Sequence, residues 1–265
     1  MENNLNWNNI NKAFETFHNQ HPFNHTIVED FFIQEFAKQL EFEFISYESP
    51  KWFVYKNQIE DKKALNDWNI FPKNTYQIFS YLNSPSFLEK FSKLVGVKLY
   101  PDPGLNGGGW HIHGTGGNLN PHLDYSIHPK LQLQRKVNII IYLSENLKEE
   151  HGGHLGLWTN KEQELEPEIL AKEITPKFNR AVIFDTTQNS WHGMSRPLIQ
   201  PHNIYRKSLA IYYLCVPPEE EDINTRGRAL FAARDEQKSD PKLKELIKAR
   251  ADVELSKNTY KNSQD

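Results

Sequence analysis

The sequence predicts a mainly β protein with flanking helices, an α+β chain whose central part is a sandwich or barrel of antiparallel strands. Three observations predict it. Short β-type runs follow one another between about 97 and 217, separated by Gly, Pro and Asn. Aromatic residues make up 12% of the chain, a share that suits pleated, half-buried surfaces. No helix-length amphipathic pattern separates most of these runs, which argues for antiparallel neighbours over βαβ units.

The runs are residues 109–114, 118–125, 136–144, 154–159, 180–185, 191–195 and 206–216. The polar, Pro-bearing segment 160–179 reads as a loop or insertion between two of them. Residues 1–96 form a helical or mixed part. There Phe32, Phe36 and Leu40, and further on Leu88, Phe91 and Leu94, recur at three or four positions, as on buried helix faces. Asn83, Ser84, Pro85 and Ser86 supply a turn and N-cap for the second of these helices. Residues 218–265 form a charged extension with a helix over 242–251, entered through Ser239, Asp240 and Pro241, and a frayed last dozen residues. The three segments, 1–96, 97–217 and 218–265, are expected to pack as one integrated domain.

Composition narrows the function classes. A formal net charge of −3 without a long basic run argues against a general nucleic-acid grip. Cys215 is the only cysteine, so neither an intramolecular disulfide nor a cysteine–zinc site can form. No apolar run approaches the roughly 18 residues of a membrane span. The polar N-terminus carries no signal-peptide pattern, and the expected setting is cytoplasmic.

The chemistry centres on His122 and Asp124. On a strand, residues i and i+2 share a face, so an imidazole and a carboxylate can reach one metal ion. They supply two of the three ligands of a facial triad; the third is usually another histidine from a distant strand. His192 meets that need after several intervening β runs. His111 and His113 also stand at i, i+2 and compete as a metal pair, while His151 and His154 flank a Gly–Gly turn. A second feature is Arg206 with Ser208 on one strand face, a guanidinium and hydroxyl suited to clamping a carboxylate. Arg196 is its rival, but four residues past His192 it has too little chain to reach the next strand inward.

Taken together, these pieces resemble the Fe(II)/2-oxoglutarate-dependent oxygenase superfamily, and within it the prolyl 4-hydroxylase-like branch. The resemblance runs from about Trp110 to Val216. It follows the order His122-x-Asp124, the strand from Arg135 to Leu143, the Gly152–Gly153 hairpin to Trp158, the strand from Ala181 to Asp185, then His192 and Arg206-x-Ser208. It implies a double-stranded β-helix, a jelly-roll or cupin-like core buttressed by helices. It implies iron bound by His122, Asp124 and His192, with 2-oxoglutarate and O2 as co-substrates and ascorbate as a candidate reductant. Arg206 and Ser208 would take the distal carboxylate of 2-oxoglutarate. Tyr142 would assist, Asn138 would line the pocket, and His113 would lie near the metal-proximal end. Asp124 implies hydroxylation, since related halogenases carry a small residue there.

Two features depart from the branch or leave it open. The stretch from His192 to Arg206 is long, extended through His202 and Asn203. Ile211, Tyr212 and Tyr213 stand where the nucleic-acid demethylases carry a second arginine. The substrate, a peptide or protein side chain or a small molecule, is left undetermined, as is the oligomeric state. The loop from Pro103 to Gly109 reads either as a lid or as a plain turn, and Trp110, Trp158 and Trp191 as pocket lining or core. Two other classes compete: a non-enzymatic cupin-like binding module without a carboxylate clamp, and a zinc hydrolase built on His111 and His113.

Overall fold

The computed structural model describes residues 1–218 and 226–259. Two antiparallel sheets face each other across the site. The strands are β1 (His25–Val28), β2 (Phe53–Lys56), β3 (Glu60–Leu65), β4 (Tyr100–Pro101), β5 (Gly109–His113), β6 (Asn118–Leu119), β7 (His122–Leu123), β8 (Gln134–Tyr142), β9 (Leu155–Asn160), β10 (Pro167–Ile174), β11 (Ala181–Asp185), β12 (His192–Met194), β13 (Arg206–Cys215) and β14 (Leu230–Phe231). The larger, nine-stranded sheet runs β1-β11-β8-β13-β5-β3-β2, with β4 on β13 and β6 on β3. The smaller runs β10-β9-β12-β7-β14. Together they form the double-stranded β-helix core, with helices on the outside of the larger sheet.

Strand alternation explains the layers. Val137, Ile139, Ile141, Leu209, Ile211 and Tyr213 point outward into the main hydrophobic core, against Phe36, Leu40, Ile78, Phe79, Phe87 and Phe91 of the helices. Those helices are α1 (Trp7–Phe14), α2 (Gln34–Phe42), α3 (Lys73–Leu82) and α4 (Pro85–Val95). The alternate positions, Asn138, Ile140, Arg206, Ser208, Ala210 and Tyr212, face the cavity between the sheets. One strand thus serves the core with one face and the chemistry with the other.

The helix signals act as expected. Ser84 caps α4 by accepting from the Phe87 N–H, Pro85 follows at the first turn, and Gly96 closes the helix in the left-handed region. Asp240 caps α5 (Pro241–Ala251) in the same way. None of the helices of the described residues is long and apolar enough to cross a membrane.

One expectation is corrected, and one is made specific. Segment 160–179 is not simply a loop, because β10 within it pairs with β9 through a register containing bulges. Its alternation is weak because the strand sits at the sheet edge, with most residues exposed or half-buried. The N-terminal part also contributes strands: β1 extends one side of the large sheet, and the β2–β3 hairpin the other. Polar residues such as Glu60 and Lys62 hide that hairpin from a hydrophobicity reading, because its inner face lines a polar cavity. The end of the frayed terminus, residues 260–265, lies outside the described residues.

Candidate metal centre and co-substrate pocket

His122, Asp124 and His192 are buried and offer one ligand atom each, all within 4.8 Å of one another. The pairing of β12 with β7 places His192 directly opposite His122, so both imidazoles emerge on the same face. Asp124 follows one residue beyond β7.

Backbone carbonyls orient both rings. The Nδ1–H of His122 donates to the Asn120 carbonyl at 3.0 Å and that of His192 to the Ser190 carbonyl at 2.8 Å. This tautomer leaves each Nε2 as the free donor pair, the arrangement that metal-binding histidines need. The two Nε2 atoms lie 3.9 and 3.7 Å from the Asp124 carboxylate, too far for hydrogen bonds. Asp124 Oδ2 is buried with no hydrogen-bond partner. An orphaned carboxylate oxygen facing two imidazole nitrogens fits a divalent cation, and two histidines with one carboxylate are the donor set of non-haem Fe(II).

Burial, then the charge of His192, holds His122 down to about 3, and burial likewise lowers His192. Both are neutral ligands at physiological pH. Burial pushes the Asp124 carboxyl up, but His192, Arg135 and His122 together outweigh it and keep the group below its usual range. The triad is therefore in its metal-binding protonation state without the metal.

The walls of the centre are aromatic and cationic. Phe231 of β14 stacks on His122 at 5.0 Å, and Phe184 packs on His192 at 4.6 Å. Arg135 reaches Asp124 Oδ1 at 3.4 Å and is clasped between the rings of Tyr125 and Tyr212 at 3.6 and 3.3 Å. It also donates to the Asn106 carbonyl.

Across a shared cavity of about 440 Å³ lies Arg206. Its Nε donates to the Gly153 carbonyl at 2.9 Å and its Nη2 to Tyr142 Oη at 3.2 Å. It is buried, and among the described residues no carboxylate pairs with it. Ser208 lies opposite Tyr142 on one side and His111 on the other. His113 is level with Arg206, and neither ring nitrogen has a partner. Asn138 lines the same cavity with Oδ1 unpartnered. All eight residues singled out in the sequence thus converge on one end of the barrel, seven on the cavity wall and Tyr142 behind Arg206.

The rival features fall elsewhere. Arg196 pairs at the surface with Glu173. His111 faces the cavity, but it belongs to no metal-holding cluster among the described residues. Trp110 stacks on Phe44 in the helical core and Trp191 bonds Asn160; none of the three tryptophans lines the cavity. In the Pro103–Gly109 loop Asp102 accepts from the Gly104 and Asn106 amides, and Asn106, Gly107 and Gly108 line the cavity. Gly109, at φ +92°, is packed so that a Cβ would lie 2.2 Å from the Leu65 carbonyl oxygen.

Comparison with known proteins settles the family. A model of the 2OG-Fe(II) oxygenase superfamily matches residues 108–214, the stretch that carries the triad, Arg206 and Ser208. Over that stretch the chain belongs to the Fe(II)/2-oxoglutarate oxygenase superfamily. No curated protein sequence matches it significantly. Among solved structures, a Pseudomonas putida prolyl-4-hydroxylase superposes with a TM-score of 0.55 at 13% identity, covering 78% of this chain and 100% of that one. A Phytophthora capsici prolyl 4-hydroxylase gives 0.53 at 19% identity, over 97% and 80%. A Trichoplax adhaerens prolyl hydroxylase, solved with a hypoxia inducible factor peptide fragment, gives 0.52 at 16% identity, over 79% and 93%. These similarities show a common fold. With its His-Asp-His triad, this oxygenase is a dioxygenase of the hydroxylating type that uses Fe(II) and 2-oxoglutarate.

Sequence reasoning missed Phe231, Lys62 and Arg228, which lie outside the matched region yet line the cavity. Arg135 was visible only as the head of a strand, with nothing to mark it as a neighbour of Asp124.

Proposed function

We propose that Arg206, with Tyr142 behind it and Ser208 beside it, binds the distal carboxylate of 2-oxoglutarate, while its 2-oxo acid end meets iron held by His122, Asp124 and His192. The observation that carries this is the buried guanidinium of Arg206, without a carboxylate partner among the described residues, facing the triad across one cavity. A desolvated cation is costly unless an anion meets it, so the pocket is built for an acid. His113 and Asn138, with unpartnered buried polar atoms, line the space between.

With O2 as co-substrate, the reaction converts 2-oxoglutarate, O2 and a C–H bond into succinate, CO2 and an alcohol. The bound iron supplies the redox chemistry, with ascorbate as the reductant that keeps it ferrous. The chain's own part is placement. Asn120 and Ser190 fix the two imidazoles, and Arg135 holds Asp124 ionised. Arg206 sets the register of the co-substrate, and Phe231 and Phe184 pack against the two imidazoles. Succinate release from 2-oxoglutarate under air, with Fe(II) added, tests this reading. Turnover that requires Fe(II) and disappears in both His122→Ala and Asp124→Ala supports it; turnover retained in both contradicts it.

A further inference from the structure

The two metal imidazoles stand on very short strands. β7 has two residues and β12 three, and they meet through the single match of His192 with His122. β14, on the other side of β7, adds two matched pairs. The ligand strands approach closely, since a Cβ on Gly193 would lie 2.6 Å from the Asn120 carbonyl oxygen. So short a ladder leaves the separation of the two rings to contacts from outside it.

Those contacts converge on Arg234, which lies beyond the family-matched stretch of residues 108–214. The chain leaves β14 alongside β7, where the Ala232 amide donates to the Pro121 carbonyl at 2.8 Å, and this brings Arg234 to both ligand strands. Its Nη2 donates to the carbonyl of Met194, two residues past His192, at 2.6 Å. The same nitrogen donates to Asn118 Oδ1 at 2.6 Å, with the Leu119 carbonyl at 3.4 Å. Its Nε donates at 3.2 Å to Oδ1 of Asn120, two residues before His122. One planar fork of donors thus spans the end of β12 and the approach to β7, a reach that a lysine ammonium does not have.

Asn120 passes this restraint on to the metal ligand. It is fully buried, and each of its polar atoms is engaged. The amide donates to the Ile59 carbonyl at 2.8 Å, and Nδ2 donates to the Ala232 carbonyl at 3.0 Å and to Gln237 Oε1 at 2.6 Å. Oδ1 accepts from Asn118 Nδ2 at 2.9 Å as well as from Arg234. Its carbonyl takes the Nδ1–H of His122 at 3.0 Å. Gln237 Oε1 also accepts from the Arg234 amide at 3.0 Å, which closes the network.

We propose that Arg234 is a positioning residue of the metal centre. By bonding Met194 and the 118–120 segment with one guanidinium, it sets the separation of His192 from His122 and fixes the carbonyl that orients the His122 ring. The C-terminal segment therefore completes a centre whose three ligands all lie in the matched core. The inference rests on metal binding by the triad and is independent of the role given to Arg206. Groups that hold a metal-binding histidine are typically worth about 10–100-fold in metal affinity.

The test uses full-length protein and Co(II) as the probe metal, in wild type, Arg234→Gln, Arg234→Lys and Asp240→Ala. Co(II) affinity and the ligand-field absorption bands of the bound ion are read beside the melting temperature of the metal-free protein. Asp240→Ala is the control for plain loosening of the segment, because its carboxylate caps α5 and reaches Gln58 but no ligand strand. Arg234→Gln is expected to bind Co(II) at least tenfold more weakly and with shifted bands. Arg234→Lys, with the charge but not the fork, is expected to bind more weakly than wild type as well. Asp240→Ala should lower the melting temperature and leave affinity and bands unchanged. Affinity and bands in Arg234→Gln that equal those of wild type, or that change no more than in Asp240→Ala, overturn the proposal and leave Arg234 a staple for the segment. If Arg234→Gln fails to fold, Arg234→Lys carries the same comparison. A wild type that takes up no Co(II) refutes the metal centre itself, a result distinct from equal binding in wild type and variant.

Discussion

Arg135 Nη1 lies 3.4 Å from Asp124 Oδ1, so the carboxylate of the metal triad is held by a buried guanidinium from the neighbouring sheet. The clasp of Tyr125 and Tyr212 fixes that guanidinium, and the Asn106 carbonyl takes one of its protons. The pair ties the ligand on the small sheet to the wall of the large one.

Arg135→Met removes this partner while keeping much of the volume. Groups that orient a metal ligand are typically worth about 10–100-fold in affinity. Fe(II) or Co(II) titration should show a loss in that range, larger at pH 6 than at pH 8, because Asp124 loses one of the charges that depress its pKa. Unchanged metal affinity at both pH values would remove Arg135 from the centre.

Arg206→Gln should weaken 2-oxoglutarate and leave the metal in place. Charge-assisted hydrogen bonds contribute about 1.5–3 kcal/mol each, so the loss is on the order of 10–100-fold. Calorimetry on the metal-loaded protein reads it directly. In wild type, 2-oxoglutarate should also raise the melting temperature, and that shift should shrink in the variant.

Acid should destabilise the metal-free protein by a route that leads through its buried imidazoles. Burial, and then Lys62 and Arg206, hold His111 down to about 3, and burial holds His113 well below its ordinary value. Unfolded, each binds a proton near pH 6.5; folded, each stays neutral. The unfolded state then binds more protons, so stability is lost as pH falls from about 6.5 toward 3, by up to ~1.4 kcal/mol per pH unit per histidine. Denaturation curves at a series of pH values should show a shallower slope for His111→Gln than for wild type.

How far the sequence could be read follows from what each part of the chain has to satisfy. The core strands announce themselves because one face must be apolar: Val137, Ile139 and Ile141 alternate with cavity residues. The triad and Arg206 stood out because metal binding and carboxylate binding would each restrict residue type, and both lie on the cavity wall. The β2–β3 hairpin was not, since its inner face lines a polar cavity and its outer face is half-buried. Nor was β14, two residues long, whose Phe231 reaches His122 only through a pairing between positions more than a hundred apart. The long stretch before Arg206, a departure from the branch, has a place in the structure. It seats Leu198 against Gly153, next to the carbonyl that accepts from Arg206.

Phe231→Ala measures what that missed contact contributes. Phe231 is 4% exposed and packs with Ile59 and Leu243 as well as on His122. Truncating a buried Phe costs about 3–5 kcal/mol, so the melting temperature should fall by several degrees. Metal affinity should fall with it. A fall in stability alone would limit the C-terminal segment to packing.

The most direct test of the central claim is an anaerobic titration of the Fe(II)-loaded protein with 2-oxoglutarate, following the visible metal-to-ligand charge-transfer band. The expected result is a saturable band in wild type, none in His192→Ala, and a band requiring at least tenfold more 2-oxoglutarate in Arg206→Gln. A folded, iron-loaded wild type that gives no band, or a His192→Ala variant that keeps it, would contradict the assignment of this centre.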